Sequence, residues 1–417
     1  MDTSWCASEF DALVEFGKKS RVAIGFGTMQ ADGSIDPAAG AQLWINCRMS
    51  HIFCLAALRG DQSAREYAEH GIQSLLTHFY DAECGGFFAT LTLEGTPMGS
   101  AGTRKEGYAH AFVLLAASSG LQAKIPGAQE LFDAAAAAHN RHFWEPEAGL
   151  VREAWNREFT ETEPYRGINA NMHTVESLLA AWDATNDPQW LAHAGAIVAF
   201  VASHASQLNW RVGEHYSSSW EFLPDFNRER PADPFRPFGV TPGHGIEWAR
   251  LTLQYWATVQ AAPQQDRPSA TTELLSTLPT VALQLFDRAM ADGWNVDGAP
   301  GIVYTTDFSG TPIVHERMHW TACEALAASA AFTTFASLFQ LGGLEKRMGI
   351  TWQELAEYVR TYVIEAPGRW YHELDNANHP SGVTWPGKPD IYHAAQAMLL
   401  PDLPLTPSFA GALARRQ

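Results

Sequence analysis

The chain has 417 residues, close to half of them apolar, which is enough to bury a large core and too apolar a composition for a disordered segment. With 28 Lys and Arg against 46 Asp and Glu the formal charge is −18, which excludes a nucleic-acid partner, because backbone binding needs clustered cations that release counterions. The first thirty residues carry Asp2, Glu9, Asp11, Glu15, Lys18, Lys19 and Arg21 among short apolar stretches, so no secretion signal is expected there, and no window is long and apolar enough for a membrane span. A cytoplasmic protein is the expectation. The five cysteines, Cys6, Cys47, Cys54, Cys84 and Cys323, form no CxxC pair and read as reduced thiols used mainly in packing.

Apolar spacing at i, i+3, i+4, taken with cap signals, predicts twelve helices in chain order, near 8–19, 40–59, 62–79, 105–119, 127–142, 170–186, 188–205, 244–261, 271–291, 318–340, 351–364 and 390–399. Asp187-Pro188 supplies an N-cap with proline at the first helical position, and Thr351-Trp-Gln-Glu354 fits a capping box. Between odd and even helices lie Gly- and aromatic-rich segments of strand character: 85–93, 149–156, 209–221, 293–314 and 368–385. The pattern helix, long loop, helix recurs about every 60 to 90 residues without a shared motif. No Pro/Ser/Gly-rich linker or charge block divides it, so one domain over 1–417 is expected. Six helical hairpins closing on themselves make an all-α (α/α)6 barrel with short β-hairpins in the loops; an open solenoid is the alternative. The unusual polar and aromatic residues favour closure, since they cluster near the starts of even helices, where a ring would gather them in one pocket.

His244 lies in Thr241-Pro-Gly-His-Gly-Ile-Glu-Trp248, where glycines let the backbone turn into a helix and Glu247 follows three residues later on the same face. A carboxylate beside an imidazole orients it for proton transfer near neutral pH; a capping histidine with a solvated glutamate fits the same letters. His393 follows a Pro/Gly-constrained loop at the start of the last helix, and taken alone it reads more often as a packed or solvent-facing histidine, a weighting that its company changes. Asn169 and His173, at i, i+4, offer a donor and an acceptor on one face. Arg48 in Cys47-Arg-Met-Ser-His51 is a fork for sugar oxygens or an ion-pair partner, and Tyr108 donates to a hydroxyl or simply packs. His315-Glu-Arg-Met-His319 matches the zinc pattern HExxH, but it follows a strand-like stretch and straddles a predicted helix start, so both imidazoles are not expected on one helical face and no metal is expected. There are fifteen tryptophans; Trp44, Trp320, Trp370 and Trp385 fall beside the polar clusters, where sugar faces stack on rings while hydroxyls reach polar neighbours.

At these motifs the chain resembles the N-acylglucosamine 2-epimerase superfamily, and more closely its aldose–ketose isomerase branch. The resemblance is carried by Arg-Met-Ser-His at 48–51, Asn-Ala-Asn-Met-His at 169–173, Pro-Gly-His-Gly-Ile-Glu-Trp at 242–248, His-Trp-Thr-Ala-Cys-Glu-Ala at 319–325 and Lys-Pro-Asp-Ile-Tyr-His at 388–393. These modest motifs are specific as an ordered set. The resemblance implies an (α/α)6 barrel and interconversion of an aldose such as mannose with its ketose, without metal or other cofactor, through a cis-enediol. It implies His244 and His393 as the acid/base pair, Arg48, Tyr108, Asn169, His173, Arg236, Glu247 and Glu324 as sugar-holding residues, and Trp320 and Trp385 as aromatic walls. Where epimerases carry an aromatic pair followed by Pro this chain has His319-Trp320-Thr321, which favours isomerase over 2-epimerase. A 2-epimerase and a sulfoquinovose isomerase remain as alternatives, as do an inverting glycoside hydrolase built on Glu247 and Glu324 and a non-catalytic sugar-binding protein. The expected partner is a free monosaccharide, and the expected assembly a monomer or small homo-oligomer.

Overall fold

A computed structural model of the chain describes residues 1–268 and 272–417. Among them are twelve helices of eight residues or more: α1 (Thr3–Gly17), α2 (Leu43–Leu58), α3 (Gln62–Ser74), α4 (Gly107–Gln122), α5 (Ala128–Ala138), α6 (Ile168–Thr185), α7 (Pro188–Gln207), α8 (Pro242–Ala261), α9 (Leu278–Gly293), α10 (His319–Leu338), α11 (Gly342–Tyr358) and α12 (Tyr392–Leu399). Asp187 caps α7 as expected, accepting from the Gln189 amide. The predicted start of the ninth helix at 271 lies outside the described residues. The capping box at Thr351 is not a helix start. Helix α11 has already begun at Gly342, and the Thr351 hydroxyl donates back to the Arg347 carbonyl at 3.1 Å from inside it.

The even helices form a closed inner ring: α2 packs on α4, α4 on α6, α6 on α8, α8 on α10, α10 on α12, and α12 on α2. Each remaining helix covers an inner one from outside, α3 on α2, α5 on α4, α7 on α6, α9 on α8, α11 on α10 and α1 on α12. This is the (α/α)6 barrel, and the contact between α12 and α2 rules out the open solenoid. Composition explains the layering. Every residue of α2 except Ala57 is buried, as a helix enclosed on all sides requires, whereas α3 buries a stripe of Ala64, Ala68, Gly71 and Ile72 and leaves its other face to water.

The short strands stitch neighbouring loops together around one rim. Ala41–Gln42, just ahead of α2, pairs with Thr90–Leu91; Lys105–Glu106 with Ala154–Trp155; Tyr165–Gly167 with His215–Ser217; Val240 with Thr306; and Arg317–Met318 with Glu373–Leu374. The circuit closes where Lys388 donates its amide to the Met29 carbonyl at 3.0 Å and its Nζ to the Ala31 carbonyl at 2.8 Å. Hairpins inside single loops exist too, as at Trp144–Glu145 with Leu150–Val151, but the pairing between loops was not foreseen. It satisfies the backbone of segments that would otherwise enter the inner helices unpaired.

The inner helices share a positional register. The second residues of five of them face the central cavity, Trp44, Tyr108, Asn169, Trp320 and His393, and in α8 the third residue, His244, takes that place beside Gly243. One turn on, the sixth residues of the first five are Arg48, Phe112, His173, Glu247 and Glu324. The ninth include His51, Glu176 and Arg250. Positions i, i+4 and i+7 lie on one face of a helix, so the ring stacks three tiers of side chains beneath the rim. The fourth residue serves the scaffold. Asn46 accepts from the Phe26 amide at 2.7 Å and donates to the carbonyls of Phe26 and Gln42. Asn171 does the same for Val151 and Gly167, and His110 for Phe87 and Glu106.

Candidate active site

The first two tiers enclose a cavity opening at the stitched rim, lined by residues of all six inner helices and by Pro234, Phe235, Tyr304, His372 and Trp385 from the loops. Arg48, Tyr108, Asn169, His173, His244, Glu247, Trp320, Trp385 and His393 all line it. Glu324 lies directly behind, fully enclosed. Arg236 is not part of this lining. It faces an adjoining groove that shares Trp44, Tyr108, Asn169 and Phe235 with the cavity, where its guanidinium is held by Glu163 at 2.7 and 2.9 Å and by Glu153 at 3.3 Å.

His244 and His393 both pack beside one indole. The Trp320 ring lies 5.1 Å from the His244 ring and 5.8 Å from that of His393, centroid to centroid. Gly243 is what admits it, because a Cβ at that position would lie 2.6 Å from Trp320 Cζ3 and from Thr321 Cγ2. The glycine expected to turn the chain into α8 instead clears space for a neighbour's side chain.

Each imidazole has its own carboxylate. His393 donates from Nδ1 to Glu324 Oε1 at 2.9 Å, leaving Nε2 as an acceptor turned toward Arg48 Nη2 at 3.4 Å. For His244 the carboxylate is Glu214, whose two oxygens lie 3.0 and 3.1 Å from Nδ1, and not Glu247. Glu214 comes from the loop between α7 and α8, next to the strand His215–Ser217, and no spacing in the sequence pointed to it. Glu247 instead accepts from Arg250 Nη2 at 3.3 Å, while Arg250 also binds Glu324 from Nε at 2.9 Å. That i, i+3 pairing of Glu247 with Arg250 was legible in the sequence.

Burial sets the charges. It is the largest influence on His393, followed by the charge of Arg48, and together they hold this imidazole neutral, well below its usual range. His173 is pushed down to about 4, also by burial. One guanidinium, Arg250, serves two enclosed carboxylates; burial raises both, and the charge of Glu324 adds to it at Glu247, which rises well above the usual carboxylate range. Glu324 takes the Arg250 Nε bond and the His393 proton, so Glu247 is the member of the pair that keeps a proton. Its Oε2 has no partner, nor do Arg48 Nε, Asn169 Oδ1 and His319 Nε2, all buried in residues that line the cavity. Arg48 is otherwise held by Asp390 at 3.2 Å and by the Tyr108 hydroxyl at 2.8 Å.

His173, Glu176 and Glu247, and likewise Glu247, Glu324 and His393, bring ligand atoms within 4.8 Å of one another. Both sets share Glu247, whose Oε1 already takes the fixed cation Arg250. The HExxH letters form no site: His319 is the first residue of α10, while His315 lies in the preceding loop bound to Asp297 at 2.8 Å. The spacing of Glu247 and Glu324 also differs from that of an inverting hydrolase, which needs about 6.5–9.5 Å to seat a water.

A helical barrel with two His–carboxylate pairs facing one small-molecule cavity defines the class of helical-barrel sugar isomerases and epimerases. The chain belongs to the N-acylglucosamine 2-epimerase (GlcNAc 2-epimerase) family, whose model matches residues 25–397. It is 44% identical over 413 residues to a D-mannose isomerase of Pseudomonas cannabina pv. alisalensis, covering 98% of this chain and 95% of that one. It is 42% identical over 415 residues to a D-mannose isomerase of Thermobifida fusca, covering 99% and 97%. A crystal structure of a D-mannose isomerase superposes with a TM-score of 0.82 at 26% identity, covering 95% of this chain and 97% of that one. Among the described residues no helix is long and apolar enough to cross a membrane.

Proposed function

We propose that this protein is an aldose–ketose isomerase of the D-mannose isomerase type, interconverting D-mannose and D-fructose by proton transfer without a metal. The observation that carries the mechanism is the pair of imidazoles, each with Nδ1 tied to its own carboxylate, both beside Trp320 in a cavity where the buried Arg48 Nε, Asn169 Oδ1, Glu247 Oε2 and His319 Nε2 lack protein partners. Unsatisfied buried donors and acceptors are costly unless a ligand supplies their bonds, and a polyhydroxyl ring supplies many.

In this reading His244, its Nδ1 proton held by Glu214, uses Nε2 to take the anomeric hydroxyl proton and return it to the ring oxygen, opening the pyranose. Neutral His393 then removes the proton from C2 with its unprotonated Nε2. The carbonyl O1 gains a proton from Glu247 as the cis-enediol forms. Collapse reverses the traffic: O2 gives up its proton to Glu247, and His393 delivers its proton to C1 on the same face. Atoms balance, with one hydrogen moved from C2 to C1 and one from O2 to O1. Arg48 meets the negative charge developing on the oxygens, where fixed cations in a buried site stabilise most. The reading carries with it a single domain over 1–417, a free monosaccharide as partner, a cytoplasmic setting and a monomer or small homo-oligomer; five unpaired cysteines, four of them buried, are consistent with that setting.

The test is incubation of purified, chelator-treated protein with D-mannose. Fructose is expected at an undiminished rate, and nearly none from His244→Ala or His393→Ala. Glucose formed in place of fructose would establish a 2-epimerase, and loss of turnover on chelation would refute the metal-free mechanism.

A further inference from the structure

One buried pair on the cavity wall has no part in this proton traffic. His319, at the start of α10, and His372, from the loop ahead of α12, stack with ring centroids 3.9 Å apart and planes 26° from parallel, and both line the cavity. The backbone of His372 sets the tautomer of His319. Its carbonyl accepts from the His319 amide at 3.0 Å and faces His319 Nδ1 at 3.3 Å. A carbonyl only accepts, so Nδ1 carries the proton and Nε2 carries a lone pair. Burial pushes this imidazole down to about 4, so it is neutral at physiological pH and Nε2 cannot donate. That nitrogen is enclosed, only 7% of the residue being exposed, and has no partner in the protein.

We infer that His319 is a specificity-determining residue, its Nε2 accepting a hydrogen bond from a sugar hydroxyl outside the reacting C1–C2 pair. The inference rests on the isomerase reading above and extends it to substrate choice. A fixed, neutral, acceptor-only nitrogen in an enclosed wall demands a donor. A free hydroxyl satisfies it; a deoxy carbon leaves it unpaired, and an anionic phosphate or sulfonate sets acceptor against acceptor. The wall therefore selects neutral, fully hydroxylated aldoses. Sites that bind a hydroxyl in this way reject its absence far more strongly than apolar pockets reject a methyl group.

The experiment is kcat/KM for D-mannose and its 3-deoxy, 4-deoxy and 6-deoxy forms, with wild type, His319→Phe and His319→Gln. Phe keeps a ring against His372 and removes the acceptor; Gln keeps an acceptor. Wild type is expected to disfavour one deoxy sugar by roughly 10- to 100-fold, the scale of one buried hydrogen bond. His319→Phe should lower kcat/KM by a similar factor for mannose and the other two, yet hardly at all for that one. His319→Gln should preserve the wild-type ranking. A deficit equal across all four sugars in His319→Phe, or a Gln ranking that departs from wild type, would overturn the inference while leaving the isomerase reading intact. No turnover of mannose by wild type would instead strike down that underlying reading.

Discussion

At the scale of single residues, the site depends on which nitrogen of each imidazole holds the proton. Glu214 and Glu324 accept from Nδ1 of His244 and His393, so both histidines present Nε2 to the cavity. Replacing Glu214 with Gln introduces an amide that can donate to Nδ1 and favour the opposite tautomer, with Nε2 protonated and useless as a base. The Glu214→Gln variant is expected to lose roughly 100- to 10,000-fold in kcat, the span seen when a general base is lost or misprotonated, with KM little changed. Steady-state kinetics on mannose checks this, and a variant with wild-type kcat would show that His244 does not depend on Glu214. Arg48 is held by Asp390 and Tyr108 and packs over the rings of Phe112 and Tyr392, at 4.4 and 4.6 Å from their centroids. Its charge is therefore fixed in place before substrate arrives.

At the scale of elements, the inner helices present working side chains near their second and sixth positions and, in three helices, hold the rim with the fourth. Two residues of one kind, two positions apart, can therefore have opposite duties. Asn169, second in α6, has a buried, unpartnered Oδ1 at the cavity, while Asn171, fourth, clamps the backbone of Val151. Asn171→Ala leaves a buried amide and carbonyls unpaired and is expected to cost about 2–3 kcal/mol of stability. Asn169→Ala should cost little stability but lower kcat/KM. Urea denaturation beside kinetics on both variants separates the roles, and equal loss of stability in the two would contradict the assignment. The rim stitches connect each loop to the next, so damage to one clamp should spread to the neighbouring loop.

At the scale of the whole molecule, burial inside two layers of helices keeps many histidines neutral. His51, His173 and His319 are pushed down to about 4, and His110 and His139 to about 3, with burial the largest cause for each. The unfolded chain, with ordinary imidazoles near pH 6.5, binds more protons than the folded one between those values. Stability therefore rises with pH across that window, is fully present above about 6.5, and is lost progressively as pH falls toward 4. The melting temperature should drop steadily from pH 6.5 to 4.5, as read by scanning calorimetry or fluorimetry. A flat profile across that range would show these imidazoles to be charged in the folded state.

The order of the helices and their alternation between two layers were written in the apolar spacing, because a helix enclosed on all sides must be apolar all round and an outer one must be striped. His244, His393, Arg48, Tyr108, Asn169, His173, Glu247, Trp320 and Trp385 were likewise legible, since inner-helix starts and the loops before them are where polar and aromatic residues interrupt apolar runs. The partners were decided by the closed ring alone. Glu214 pairs with a histidine thirty positions away by sequence and Asp390 with an arginine on the first inner helix, while Arg236 turned to the neighbouring groove and its acids. Helical spacing is a property of local backbone geometry and can be read along the chain. A hydrogen bond between loops from different hairpins depends on how the ring closes, and that is settled only when all six inner helices have packed.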